Sequence, residues 1–148
     1  MKRSKGKQSA KALVAGKVTV AISFTLTMKE VEDAGVLWDA FSSMTRNWAK
    51  VLKCVKPTKG TVDFHDYPFH PGGSVIIREL NCDEDDPAGV HTLDLAAIKN
   101  GLTRMAKKAP GIFLTLYDHC ANDGSPDYDG YTADALVQFA VFGEVVYG

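Results

Sequence analysis

The sequence predicts an α+β fold: a small antiparallel sheet of about four strands packed against three to four helices, in a single domain. Three observations carry that expectation. Short β-branched stretches are bounded by Pro- and Gly-containing turns, as half-buried strands are. Residues 27–49 and 95–108 carry apolar side chains at the three- and four-residue spacing of an amphipathic helix. The last eighteen residues, YTADALVQFAVFGEVVYG, read as a helix with almost no polar face, and such a helix belongs inside a fold. The resulting order, β-α-β-(loop)-β-β-α-α-α, suits one antiparallel sheet covered on one face by helices.

Taken in order, residues 1–16 read as a basic flexible arm and residues 17–148 as the domain. After Lys17, VTVAISFTL alternates Val18, Val20, Ile22, Phe24 and Leu26 with small polar or alanine positions, the pattern of a strand. Thr27-Met28-Lys29-Glu30 is a capping box, opening a helix predicted to run to about Ala49. Gly35 inside it costs about 1 kcal/mol relative to alanine. Val51–Val55 is the second strand, stopped at Lys56-Pro57. Residues 57–73 form a long loop of the kind that is functional or disordered. Residues 75–80 and 90–93 form a hairpin around the acidic turn Asp83–Asp86. Asp94 caps the helix 95–108, whose last turn carries Lys107 and Lys108 where cations favour the helix dipole. A short helix follows over 112–120, and Thr132 is expected to cap the last one.

Composition bounds the function. With 148 residues, 45% hydrophobic and 24% charged, the chain has the balance of a soluble globular domain. No apolar run approaches the roughly 20 residues of a membrane-spanning helix, and no signal peptide is evident. A cytosolic protein without a membrane partner is expected. Cys54, Cys82 and Cys120 are odd in number and widely spaced, so free thiols are expected rather than a disulfide framework or zinc site. The formal charge of -1 hides an asymmetry. Residues 1–17 hold six basic and no acidic residues, leaving 11 basic against 18 acidic residues in the remainder. Lys2, Arg3, Lys5, Lys7 and Lys11 are therefore candidate phosphate or nucleic-acid contacts, though no aromatic residue among them would stack on bases.

Candidate chemistry is sparse. His65-Asp66-Tyr67-Pro68-Phe69-His70 offers two imidazoles and a carboxylate, a donor set suited to Zn, Ni or Fe. Its spacing matches no helical His pair, and the loop also reads as ordinary aromatic packing. The turn 125–130 places Ser125, Asp127, Asp129 and Gly130 on a calcium-loop pattern, but the twelfth position is Leu136 rather than a glutamate. Asp118-His119-Cys120 are consecutive on a helix and so do not form a thiolate–imidazole pair. GxSxG, P-loop, GxGxxG and HExxH motifs are absent from the sequence. No enzyme activity and no cofactor are expected. Glu144 falls in the apolar stripe of a final helix extended to the C-terminus. It is therefore expected to be a buried structural carboxylate, paired with Arg46, Arg78, Arg104, Trp48 or Tyr147.

The ending Thr132-Ala133-Asp134, apolar residues, then Phe142-Gly143-Glu144-Val145-Val146-Tyr147-Gly148, resembles that of a family of small phage and prophage proteins without an assigned activity. Thr25-Leu26-Thr27 before one helix and His91-Thr92-Leu93-Asp94 before another are similar to its layout. The resemblance implies a phage-type accessory protein in the host cytoplasm, binding a host protein or protein–nucleic-acid complex, as anti-CRISPR-like inhibitors of host defence do. Two alternatives stand beside it: a nucleic-acid-associated phage protein using the arm, and a metal-dependent enzyme using His65, Asp66 and His70. The apolar final helix also offers a surface for a homo-oligomer.

Overall fold

Helix α1 (Met28–Asp33) begins where the capping box places it, in a computed structural model that describes residues 16–60, 62–122 and 124–148. Thr27 Oγ1 accepts the Glu30 N–H at 3.1 Å, and the Glu30 carboxylate accepts the Thr27 N–H at 2.8 Å. The helix does not run on to Ala49. Gly35 adopts φ 72°, a left-handed conformation that glycine tolerates best, and the chain restarts as α2 (Val36–Ser42). A 3₁₀ turn over Thr45–Asn47 then leads into β1 (Ala49–Val55).

The sheet has three strands in the order β1-β2-β3, all antiparallel, with β2 at Ser74–Glu79 and β3 at Val90–Leu93. Val75, Ile77 and Leu93 point into the core and are fully buried. On the other face Lys50 lies opposite Arg78 and Lys53 opposite Ile76. The register slips between Val51 and Lys53, so Leu52 is the extra residue of a bulge on the outer strand.

The expected strand over residues 18–26 does not form. Residues 16–27 carry no regular structure, and Val18 is 89% exposed, Val20 and Ile22 70% each. The alternation is strand-like, but a strand also needs a neighbour. Among the described residues no strand pairs with this segment: β2 is paired on both sides, and the outer edge of β1 carries a bulge and two lysines, devices that blunt an edge.

The remaining helices are α3 (Leu95–Lys108), α4 (Pro110–Ala121) and α5 (Gly130–Phe142). Asp94 caps α3 as predicted, accepting the Ala97 N–H at 2.9 Å. The cap of α5 is Asp129 rather than Thr132, which instead donates its N–H to the Asp129 carboxylate at 3.1 Å. Every residue from Thr132 to Ala140 is buried, because α5 packs against α2, α3, α4 and β3. Gly101 of α3 allows its closest approach: a Cβ there would lie 2.8 Å from the Ala140 backbone. No helix among the described residues is long and apolar enough to cross a membrane.

Candidate functional site

The loop 57–73 is anchored rather than loose. Thr58 N–H donates to the Pro71 carbonyl at 3.1 Å, and residues Phe64–Phe69 form a 3₁₀ turn with Pro68 and Phe69 buried. His70 leaves this turn toward α1, where its Nε2–H donates to the Glu32 carboxylate at 2.6 Å. His65 turns the other way: its ring packs 5.0 Å from the Trp38 ring and edge-on to Phe64. His65 Nε2 lies 3.6 Å from Asp66 Oδ2, and its buried Nδ1 has no hydrogen-bond partner among the described residues. Burial raises the Asp66 carboxyl above its ordinary value; the His65 and His70 charges oppose this, and Glu32 and Asp63 reinforce it. No group of three or more His, Cys, Asp and Glu side chains is placed to hold a metal among the described residues. His65 and Asp66 thus stay side by side, while His70 closes on Glu32 close enough for its charge to reach Asp66.

A second constellation, which no local motif announces, links the sheet to the C-terminal tail. Glu79 on β2 accepts the Tyr147 hydroxyl at 2.5 Å and the His91 Nε2–H at 2.8 Å. His91 is paired with Ile77, so it meets Glu79 diagonally across the β2–β3 ladder. Burial works to raise the Glu79 carboxyl. The hydrogen bonds from Tyr147 and His91, with the charge of His91, outweigh it and hold the carboxyl below its ordinary value. The same bond pushes the Tyr147 hydroxyl up to about 12.

Directly behind this cluster lies the most buried polar network. Asp134 on α5 accepts the Thr45 hydroxyl at 2.6 Å, the Trp48 indole N–H at 2.8 Å and the Gln138 amide at 2.7 Å. Gln138 in turn donates to the Tyr147 carbonyl at 2.9 Å, while its Oε1 accepts the N–H groups of Val146 and Tyr147 at 2.7 and 2.8 Å. Trp48 stacks on the Tyr147 ring, centroids 5.1 Å apart. Asp134 and Gln138 are 5% and 1% exposed, so every polar atom they carry needs such a partner. Their i, i+4 spacing in an otherwise apolar helix was a readable signal of that hub.

Glu144, expected to be the buried carboxylate, is exposed and outside the helix. Gly143 takes φ 78° and caps α5, so the helical stripe ends before Glu144. Lys108 donates to the Gly143 carbonyl at 3.0 Å, completing that end. The arm residues Lys2, Arg3, Lys5, Lys7 and Lys11 lie outside the described residues.

The cysteines are free and half-buried. Burial pushes the Cys120 thiol up to about 12. Neighbouring His119 does not activate it: that ring stacks on Tyr128 at 3.5 Å, and its Nε2–H faces the Ala34 carbonyl at 3.2 Å. Tyr128 donates to Asp39 at 2.7 Å. An open groove of about 700 Å³ is lined by apolar Leu26, Leu102, Ala106 and Phe113, with Lys99 and Lys107 also on its wall. Phe24 forms its outer wall, its ring 5.0 Å from Tyr117 and 6.1 Å from Phe113.

Comparison with protein-family models, with characterised proteins and with solved structures finds no match to this chain.

Proposed function

We propose that this chain is a phage-type accessory protein that acts as a non-enzymatic binding module on a host macromolecule, as an anti-CRISPR-like inhibitor of host defence would. The observation that carries the reading is how its reactive side chains are used. Glu32 closes on His70, Glu79 on His91 and Tyr147, Asp134 on Thr45, Trp48 and Gln138, and Asp39 on Tyr128. Catalysis would need one of these groups also to face a substrate in a cleft, within hydrogen-bond reach of the proton it moves. Here those groups hold the fold together, and the Cys120 thiol stays protonated at neutral pH. The C-terminal resemblance supplies the phage context.

The test is to express the protein in a host whose CRISPR system targets a plaque-forming phage. Expected are restored plaquing and a host component that co-purifies in fixed stoichiometry. Unchanged plaquing together with no such component removes the reading.

A second reading, a nucleic-acid-associated phage protein, is favoured by one further observation: Lys50 and Lys53 stand exposed on the uncovered sheet face, followed by exposed Lys56 and Lys59. With the arm residues these would neutralise phosphates. Deleting residues 2–15 should then lower affinity for duplex DNA and flatten its salt dependence; unchanged affinity and slope exclude the arm's part in it.

A further inference from the structure

We propose that residues 18–26 form a strand only between two copies of this chain, pairing antiparallel with the same segment of the second copy and seating that copy's Val18 and Val20 in the groove beside Phe24. The segment is strand-competent: its even positions are apolar, it contains neither Gly nor Pro, and residues 18–28 carry no charge. Yet its apolar side chains are the most exposed large ones in the described chain, Val18 at 89% and Val20 and Ile22 at 70%. An uncharged, unguarded segment of this kind is self-complementary, whereas β1 carries Lys50, Lys53 and the Leu52 bulge and is closed to addition.

Charge fixes the direction. In a parallel pair the two basic arms, six positive charges each through Lys17, would leave from the same end and repel. In an antiparallel pair they leave from opposite ends, and Lys17 of one copy lies opposite Thr27 of the other. There it meets α1, which carries Glu30, Glu32 and Asp33 against Lys29, while Lys99 and Lys107 line the adjoining groove.

Register follows from the apolar face. Even residues must face even residues, since a slip by one turns every side chain over. Centring the two-fold on Ile22, the middle of the alternation, sets Val18 opposite Leu26 and Val20 opposite Phe24. Leu26 and Phe24 already line the 700 Å³ groove with Leu102, Ala106 and Phe113. The second copy's Val18 and Val20 therefore arrive at the groove's mouth, and the two-stranded ribbon, marginal alone, gains a packed apolar face. This inference is independent of which host macromolecule is bound.

The test uses the full-length chain in sedimentation equilibrium at concentrations up to about 100 μM, with Ile22→Lys and Ile22→Cys. Expected are a dimer for the wild type and a monomer of unchanged melting temperature for I22K. Mild oxidation of I22C should join the two copies through a disulfide between the introduced thiols, located by peptide mapping. Ile22 contacts no core, so I22K should fold. A monomeric wild type overturns the proposal. So does a dimer that survives I22K, which would place the interface elsewhere, or a segment that binds only a foreign chain.

Discussion

The carboxylate of Asp134 accepts the indole N–H of Trp48 at 2.8 Å, joining α5 to the residue that precedes β1 across 86 positions of sequence. The same carboxylate holds Thr45 and Gln138, so three side chains converge on one buried acceptor. Asp134→Ala leaves the Thr45 hydroxyl and the Trp48 indole N–H without an acceptor and the Gln138 amide with only the Tyr147 carbonyl, and should cost about 3 kcal/mol or more, read as a lower urea midpoint. Asp134→Asn is the sharper variant. Gln138 cannot flip to offset it, because its Oε1 already accepts two tail N–H groups. An asparagine amide facing the Gln138 amide should loosen residues 145–148, seen as faster amide exchange there than in the rest of α5.

Gly101→Ala should destabilise by about 1–3 kcal/mol, the range for forcing extra volume into a packed core. The added methyl meets the Ala140 backbone rather than a flexible side chain, so the helices must part. Gly111 is the control, because a methyl added there would meet nothing within 4 Å. Gly111→Ala should be neutral or slightly stabilising in thermal melts.

The Glu79 cluster makes two opposite pH predictions. Glu79 has a lowered carboxyl, so its contribution is fully present above its unfolded value of 4.5 and is lost as pH falls through the lower folded value. Tyr147 has a raised hydroxyl, so its contribution is present below 10 and fades as pH rises through about 12. Glu79→Gln should remove the acid-side loss from the stability–pH curve. Spectrophotometric titration should show one tyrosine near pH 12 that disappears in Tyr147→Phe.

Asp66 behaves in the reverse sense. Its folded value is raised from 3.8, so the folded chain favours the protonated form at low pH and loses that advantage as pH rises through the folded value. Asp66→Asn should therefore raise the melting temperature at pH 7 and not below pH 3.8. An equal change at both pH values would show that the effect is steric.

Much of the fold was legible because its signals are local. The capping box at Thr27 and the side-chain cap at Asp94 are four-residue events, and the helices they open begin where predicted. The α5 sequence announced burial by lacking a polar face, and nine consecutive residues are buried. Boundaries failed where a glycine takes a left-handed turn. Gly35 divides one expected helix, and Gly143 ends another early enough to put Glu144 in solvent. The strand over 18–26 failed for a different reason: periodicity specifies a face but not a neighbour. Tyr147 and Glu79 are 68 positions apart, and no spacing rule connects them before the sheet and α5 have docked.

That docking gives the tail a place in the order of events. Tyr147 needs Glu79 from β2, Trp48 from before β1 and Gln138 in helical register on α5 before all of its contacts can close. Locking the last residues is therefore expected to come late in folding and to reverse early. Carboxypeptidase trimming past Tyr147 would act as a gauge of the whole interior: resistance reports an intact Asp134 hub, and sudden susceptibility reports its failure before the helices themselves melt.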